Sequence, residues 1–69
     1  MEYKTQEERV RGNLASVMRM LDECDNLRLQ IAASWLAEAI GMKKGTEFTY
    51  DSLINMACDW LEKQESIVH

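Results

Sequence analysis

The chain has 69 residues, with twelve acidic and eight basic side chains for a formal charge of −4, two cysteines, one histidine and no proline. A chain this short buries only ~60% of the surface it exposes when unfolded, and one core of this size rarely supplies more than ~3–5 kcal/mol. Small domains therefore take support from disulfides, a metal or a partner subunit, and the first two are poorly provided for here.

Cys24 and Cys58 stand in no C-x-x-C or other ligand spacing, and the one histidine is His69, so a tetrahedral zinc shell and any metal or cofactor are not expected. Disulfide-stapled secreted domains carry more cysteines, and no charged-then-apolar leader is evident, so a cytoplasmic location is the expectation. Arg28, Gln30 and Glu38 interrupt the best apolar stretch, which falls short of the ~18–20 residues of a membrane span. Net negative charge repels a phosphate backbone unless the basic residues cluster. Lys43-Lys44 is the only adjacent basic pair, while Arg9, Arg11, Arg19 and Arg28 are dispersed among acids.

Thr5-Gln6-Glu7-Glu8 has the form of a capping box, with the Thr5 hydroxyl accepting from the Glu8 N–H and the Glu8 carboxylate reaching back. A first helix is predicted over about 5–24. At ~100° per residue, Val10, Leu14, Val17, Met18, Leu21 and Cys24 share one face, and Glu8, Arg11, Arg19, Asp22 and Glu23 lie opposite. Glu7 and Arg11 form an i,i+4 pair of favourable order. Gly12 falls on the polar side and costs up to ~1 kcal/mol relative to alanine.

Asp25-Asn26 can cap a second helix, predicted over about 27–41 and ended by Gly41. Leu29, Ala32, Leu36 and Ile40 line one side of it, with Leu27, Ile31 and Trp35 nearly opposite. A helix apolar almost all round has more than one surface to satisfy.

Lys43 to Glu47 reads as a polar loop, after which Thr49 is a plausible N-cap and Asp51 suits the positive first turn of a third helix, predicted over about 49–65. Tyr50, Leu53, Ile54, Met56, Ala57, Cys58, Trp60 and Leu61 span an arc of about 200°, wider than the ~100° stripe that one core needs. The ends, 1–4 and 66–69, are expected to fray. The fold class that follows is a single all-α domain, a small antiparallel three-helix bundle.

The second and third helices together offer more apolar surface than one small core takes in, which points to association. The competing explanation is that the helices cross steeply and Met18, Met20, Met42 and Met56 fill irregular gaps.

Catalysis of the common kinds needs a nucleophile with a base, a carboxylate pair in a cleft, or a metal. The acidic pairs Glu7-Glu8 and Asp22-Glu23 fall on hydrated faces, and no enzyme is expected. Gly41-Met42-Lys43-Lys44-Gly45-Thr46 only echoes a phosphate-binding loop, and it follows a helix where that motif follows a strand.

Leu36-Ala37-Glu38-Ala39-Ile40-Gly41-Met42, with Lys43-Lys44-Gly45-Thr46 after it, resembles the first helix and turn of helix-turn-helix proteins, in which a small residue precedes a turn glycine by four positions as Ala37 precedes Gly41. The resemblance covers about 20 residues. It implies a recognition helix containing Glu47, Tyr50 and Asp51, with Lys43 and Lys44 as phosphate contacts. Two carboxylates facing a major groove oppose that role.

The reading that the residues favour is a small acidic protein-binding module without catalysis, homodimeric, acting as a regulator or inhibitor by occupying a surface on a larger protein. In size and charge alone it resembles phage and mobile-element products that inhibit a host protein. Trp35, Tyr50 and Trp60 are the anchor candidates, because aromatic residues dominate interface hot spots. Glu23, Asp59 and Glu62 are candidates for contact with a basic groove. A helix-turn-helix-like DNA-binding regulator is the alternative.

Overall fold

The computed structural model describes the backbone of residues 4–68 and the side chains of 4–65. Three helices make up its regular structure: α1 (Gln6–Glu23), α2 (Asn26–Ala39) and α3 (Tyr50–Val68). They form a small all-α three-helix bundle. Of the ends expected to fray, 1–3 and 69 lie outside the described residues, whereas 66–68 continue α3 beyond the predicted 65.

Local signals set the helix starts. The Thr5 hydroxyl accepts from the Glu8 N–H at 3.1 Å, Asp25 accepts from the Arg28 N–H at 3.2 Å, and Thr49 accepts from the Ser52 N–H at 3.1 Å. Each satisfies one of the amide donors left over in a first turn. The capping box is modified: the Glu8 carboxylate reaches the Lys4 N–H at 3.0 Å, one residue further back than Thr5.

Both ends of the α1–α2 hairpin close with the same backbone motif. After α1, the Asp25 N–H donates to the Met20 carbonyl and the Cys24 N–H to Leu21. After α2, the Met42 N–H donates to Ala37 and the Gly41 N–H to Glu38. This paired closure needs one left-handed residue. At the second site it is Gly41, with φ +85°, and at the first it is Cys24, with φ +59°.

α1 and α2 pack most closely and run antiparallel, since the Gln6 amide donates to the Ala39 carbonyl at 2.7 Å and Arg9 lies 3.8 Å from Glu38. α2 turns a small-residue face inward, burying Ala32, Ala33, Ala37 and Ala39 around Leu29 and Leu36. Small side chains let the α1 backbone come close. α1 meets them with Val10, Asn13, Val17 and Met20, a stripe rotated by roughly 50° from the expected one. Leu14 is consequently only partly buried, Leu21 and Met18 are exposed, and Cys24 lies outside the core.

α3 contributes Leu53 and Ala57 to the core, while Tyr50, Ile54, Trp60 and Leu61 are half-buried against it. Its later residues lie at the end of the hairpin where α1 begins and α2 stops, shown by the 3.3 Å contact of Arg11 with Glu65 and the groove that Trp60 shares with Ile40. Met56 and Cys58 stay exposed, so the wide arc is filled only along its centre. The methionines split: Met20 and Met42 fill gaps in or beside the core, and Met18 and Met56 do not.

Candidate functional site

The outer face of α2 carries three of the six large apolar side chains that are exposed among the described residues, including the two most exposed, while Met18, Leu21 and Met56 lie on α1 and α3. Leu27 is 72%, Ile31 46% and Trp35 57% exposed. Spaced four residues apart, they lie one above another along the helix. The sequence places them opposite the Leu29–Leu36 side, and that division holds: one side of α2 is core and the other is not.

Trp35 stands between two grooves. One, about 270 Å³, lies between α1 and α2 and is lined by Asn13, Ser16, Met20, Arg28, Ile31 and Trp35 among others. The other, about 380 Å³, is enclosed by the C-terminal half of α2 and the loop after it. Trp35, Ala37, Met42 and Phe48 form its apolar wall, with Lys43 and Lys44 on the rim. Asn13, a buried polar residue that hydropathy patterning does not pick out, lines the first groove and makes no side-chain hydrogen bond among the described residues. Its position one turn before Val17 is the only sequence signal that could have drawn attention to it.

The other anchor candidates sit elsewhere. Tyr50 and Trp60 are half-buried against the core. Trp60 lines a third groove with Ile40, Met42, Met56 and Asp59, at the end of the bundle where α2 stops. Asp59 is exposed and pairs with Lys63 at 3.6 Å, and Glu62 is exposed on the same helix. Glu23 is at the far end of α1, which is ~27 Å long. The six candidates therefore do not form one surface, and Trp35 alone among the aromatic ones is more exposed than buried.

Arg11 is held above its ordinary value chiefly by the hydrogen bond to Glu7 at 3.1 Å, with Glu65 adding to this and desolvation opposing it. The Arg11–Glu65 contact, at 3.3 Å, ties α1 to α3 on the surface. Among the described residues no His, Cys, Asp and Glu group is placed to hold a metal, and Cys24 and Cys58 are free thiols on the surface. No described helix is long and apolar enough to cross a membrane.

The helix-turn-helix resemblance extends to the Gly41 turn and no further. Residues 40–49 separate α2 from α3, a ten-residue connection where that motif has a turn of three to four. Glu47, in the loop before α3, and Asp51, in its first turn, are exposed. No protein-family model, curated protein sequence or solved structure matches this chain.

Proposed function

We propose that the protein is a non-catalytic protein-binding module that docks through the outer face of α2, with Trp35 as its anchor, and that it regulates or inhibits a larger protein by covering part of its surface. The observation that carries this reading is the stacked exposure of Leu27, Ile31 and Trp35 on one face of α2. A helix presenting anchors at this spacing matches a common way in which helices seat in apolar grooves. An exposed tryptophan that loses water on docking can contribute more than any other single residue.

The three side chains present about 300–400 Å², against ~800 Å² per partner in a standard interface. They therefore form its centre, and the polar residues around them, Arg28, Ser34, Glu38, Lys43 and Lys44, supply the rim. Pairing with a second copy through the same stripe is the homodimeric form of the proposal. In either form Tyr50 and Trp60 serve the core first, and Glu23, Asp59 and Glu62 lie outside the contact centred on Trp35.

The test compares the wild type with Trp35→Ala by light scattering over a concentration series, by circular dichroism, and by retention of partners on the immobilised proteins. The expected result is an unchanged helical spectrum with self-association or partner retention lost. Unfolding of Trp35→Ala assigns the residue to the core, and association that survives unchanged removes α2 as the docking face.

A further inference from the structure

The geometry points to an acidic peptide segment carrying a bulky apolar side chain as the occupant of the groove between Trp35 and Phe48. This inference rests on the α2 docking face and names what one part of it takes.

The groove joins two chemistries. Its wall of Trp35, Ala37, Met42 and Phe48 is apolar, and its rim carries Lys43 and Lys44. At about 380 Å³ and open to solvent, it has room for one or two large side chains of a chain segment and does not enclose a small molecule. Among the described residues the two lysines have no acidic partner, whereas Arg9, Arg11, Arg28 and Lys63 each lie within 4.0 Å of a carboxylate of the same chain. Lys4 and Arg19 also lack one, but neither lines this groove. The carboxylate at the groove, Glu38, faces Arg9 at 3.8 Å.

The loop that carries the lysines has a fixed backbone path. Gly41 and Gly45 adopt φ +85° and +87°, the Met42 N–H is bonded to the Ala37 carbonyl at 3.0 Å, and the Thr46 N–H to the Lys43 carbonyl at 3.2 Å. A loop built this way presents its cations with less ordering cost than a free tail. Glu38 lines the same groove, so its two lysines and one carboxylate leave a charge of +1, beside an exposed aromatic ring on a molecule of net charge −4.

A peptide suits the site better than a nucleic acid. A short segment can set one apolar side chain against Trp35 and Phe48 and one or two carboxylates against the lysines, and stop there. A phosphate chain would run on past Glu38 and Glu47 onto an acidic surface, and counterion release from two lysines is a small gain. Interfaces of this kind take specificity from the charged rim and affinity from the apolar contact.

The test uses four probes: a short synthetic peptide with Asp and Glu flanking a Leu-Phe pair, the same peptide with Lys replacing the acids, the acidic peptide with Ala-Ala in place of Leu-Phe, and a short DNA duplex. Each is titrated into the 15N-labelled full chain and into a Lys43→Glu/Lys44→Glu variant. The acidic apolar peptide is expected to shift the Trp35 indole and the amides from Lys43 to Phe48, to bind about tenfold more weakly to the variant, and to weaken with added salt. The other two peptides are expected to bind less. The inference is overturned if no probe binds, if the basic peptide or the duplex binds these residues as well as the acidic one, or if the variant binds undiminished. Shifts confined to Leu27 and Ile31 overturn the groove but leave the α2 docking face standing, and loss of association in Trp35→Ala reads that face independently.

Discussion

Cys24→Gly should make this protein more stable, and the reason lies entirely in the backbone. Cys24 adopts φ +59° and ψ +31°, the left-handed conformation in which a Cβ crowds the neighbouring carbonyl. The position is forced by the closure of α1, in which Asp25 donates to Met20 at 3.1 Å and Cys24 to Leu21 at 3.3 Å. The thiol is exposed, so its removal forfeits no burial. Relief of the left-handed strain contributes about 1–2 kcal/mol, and the larger freedom of glycine in the unfolded chain takes back up to ~1 kcal/mol. The net gain is about 0.5–1 kcal/mol, or a rise in Tm of about 2–8 °C for a domain this small. Urea and thermal unfolding followed by circular dichroism would measure it, with Cys24→Ala as the control that removes sulfur but keeps the Cβ. Gly41→Ala is the mirror experiment. A Cβ there meets nothing within 4 Å, so its cost of about 1 kcal/mol is conformational alone. Should Cys24→Gly leave the midpoint unchanged or lower it, or Cys24→Ala gain as much, the left-handed closure is not what limits this hairpin.

Three further outcomes follow from burial. Leu53 is fully buried and is one of two α3 residues in the core among the described residues, so Leu53→Ala should cost about 2–5 kcal/mol, comparable to the whole stability of such a chain, and leave much of the population unfolded by circular dichroism at 25 °C. Trp60→Ala should lower the stability by about 2 kcal/mol, because its ring is half-buried against the core, and Trp60→Phe should recover most of that loss. Full stability with loss of association would instead make Trp60 an interface anchor. Glu65→Gln should move the midpoint little, since the contact with Arg11 is solvent-exposed on both sides and such pairs are screened.

The helix starts were legible because each rests on a side chain acting over three residues: Thr5 on Glu8, Asp25 on Arg28, Thr49 on Ser52. The Gly41 ending was legible for the same reason, as a local backbone requirement. The ending at Cys24 was not, because nothing in a cysteine advertises a left-handed residue. The exposed stripe on α2 was half legible. The spacing of Leu27, Ile31 and Trp35 sets them opposite the Leu29–Leu36 side, but which side would face solvent depends on where α1 and α3 come to rest. The grooves beside Trp35 were not legible at all, since Phe48 and the two lysines reach it through a turn whose path is tertiary.

The sequence by itself determined what is local: three helices, the side-chain caps that start them and the glycine that ends α2. Only the tertiary structure decided which apolar residues are core. Four alanines on one face of α2 admit α1 closely enough to bury Asn13 and Met20 and to leave Leu21 and Met18 outside, an outcome of packing between faces that no single helix encodes. The same packing covers one side of α2 and leaves the other, with Trp35 at its centre, facing water.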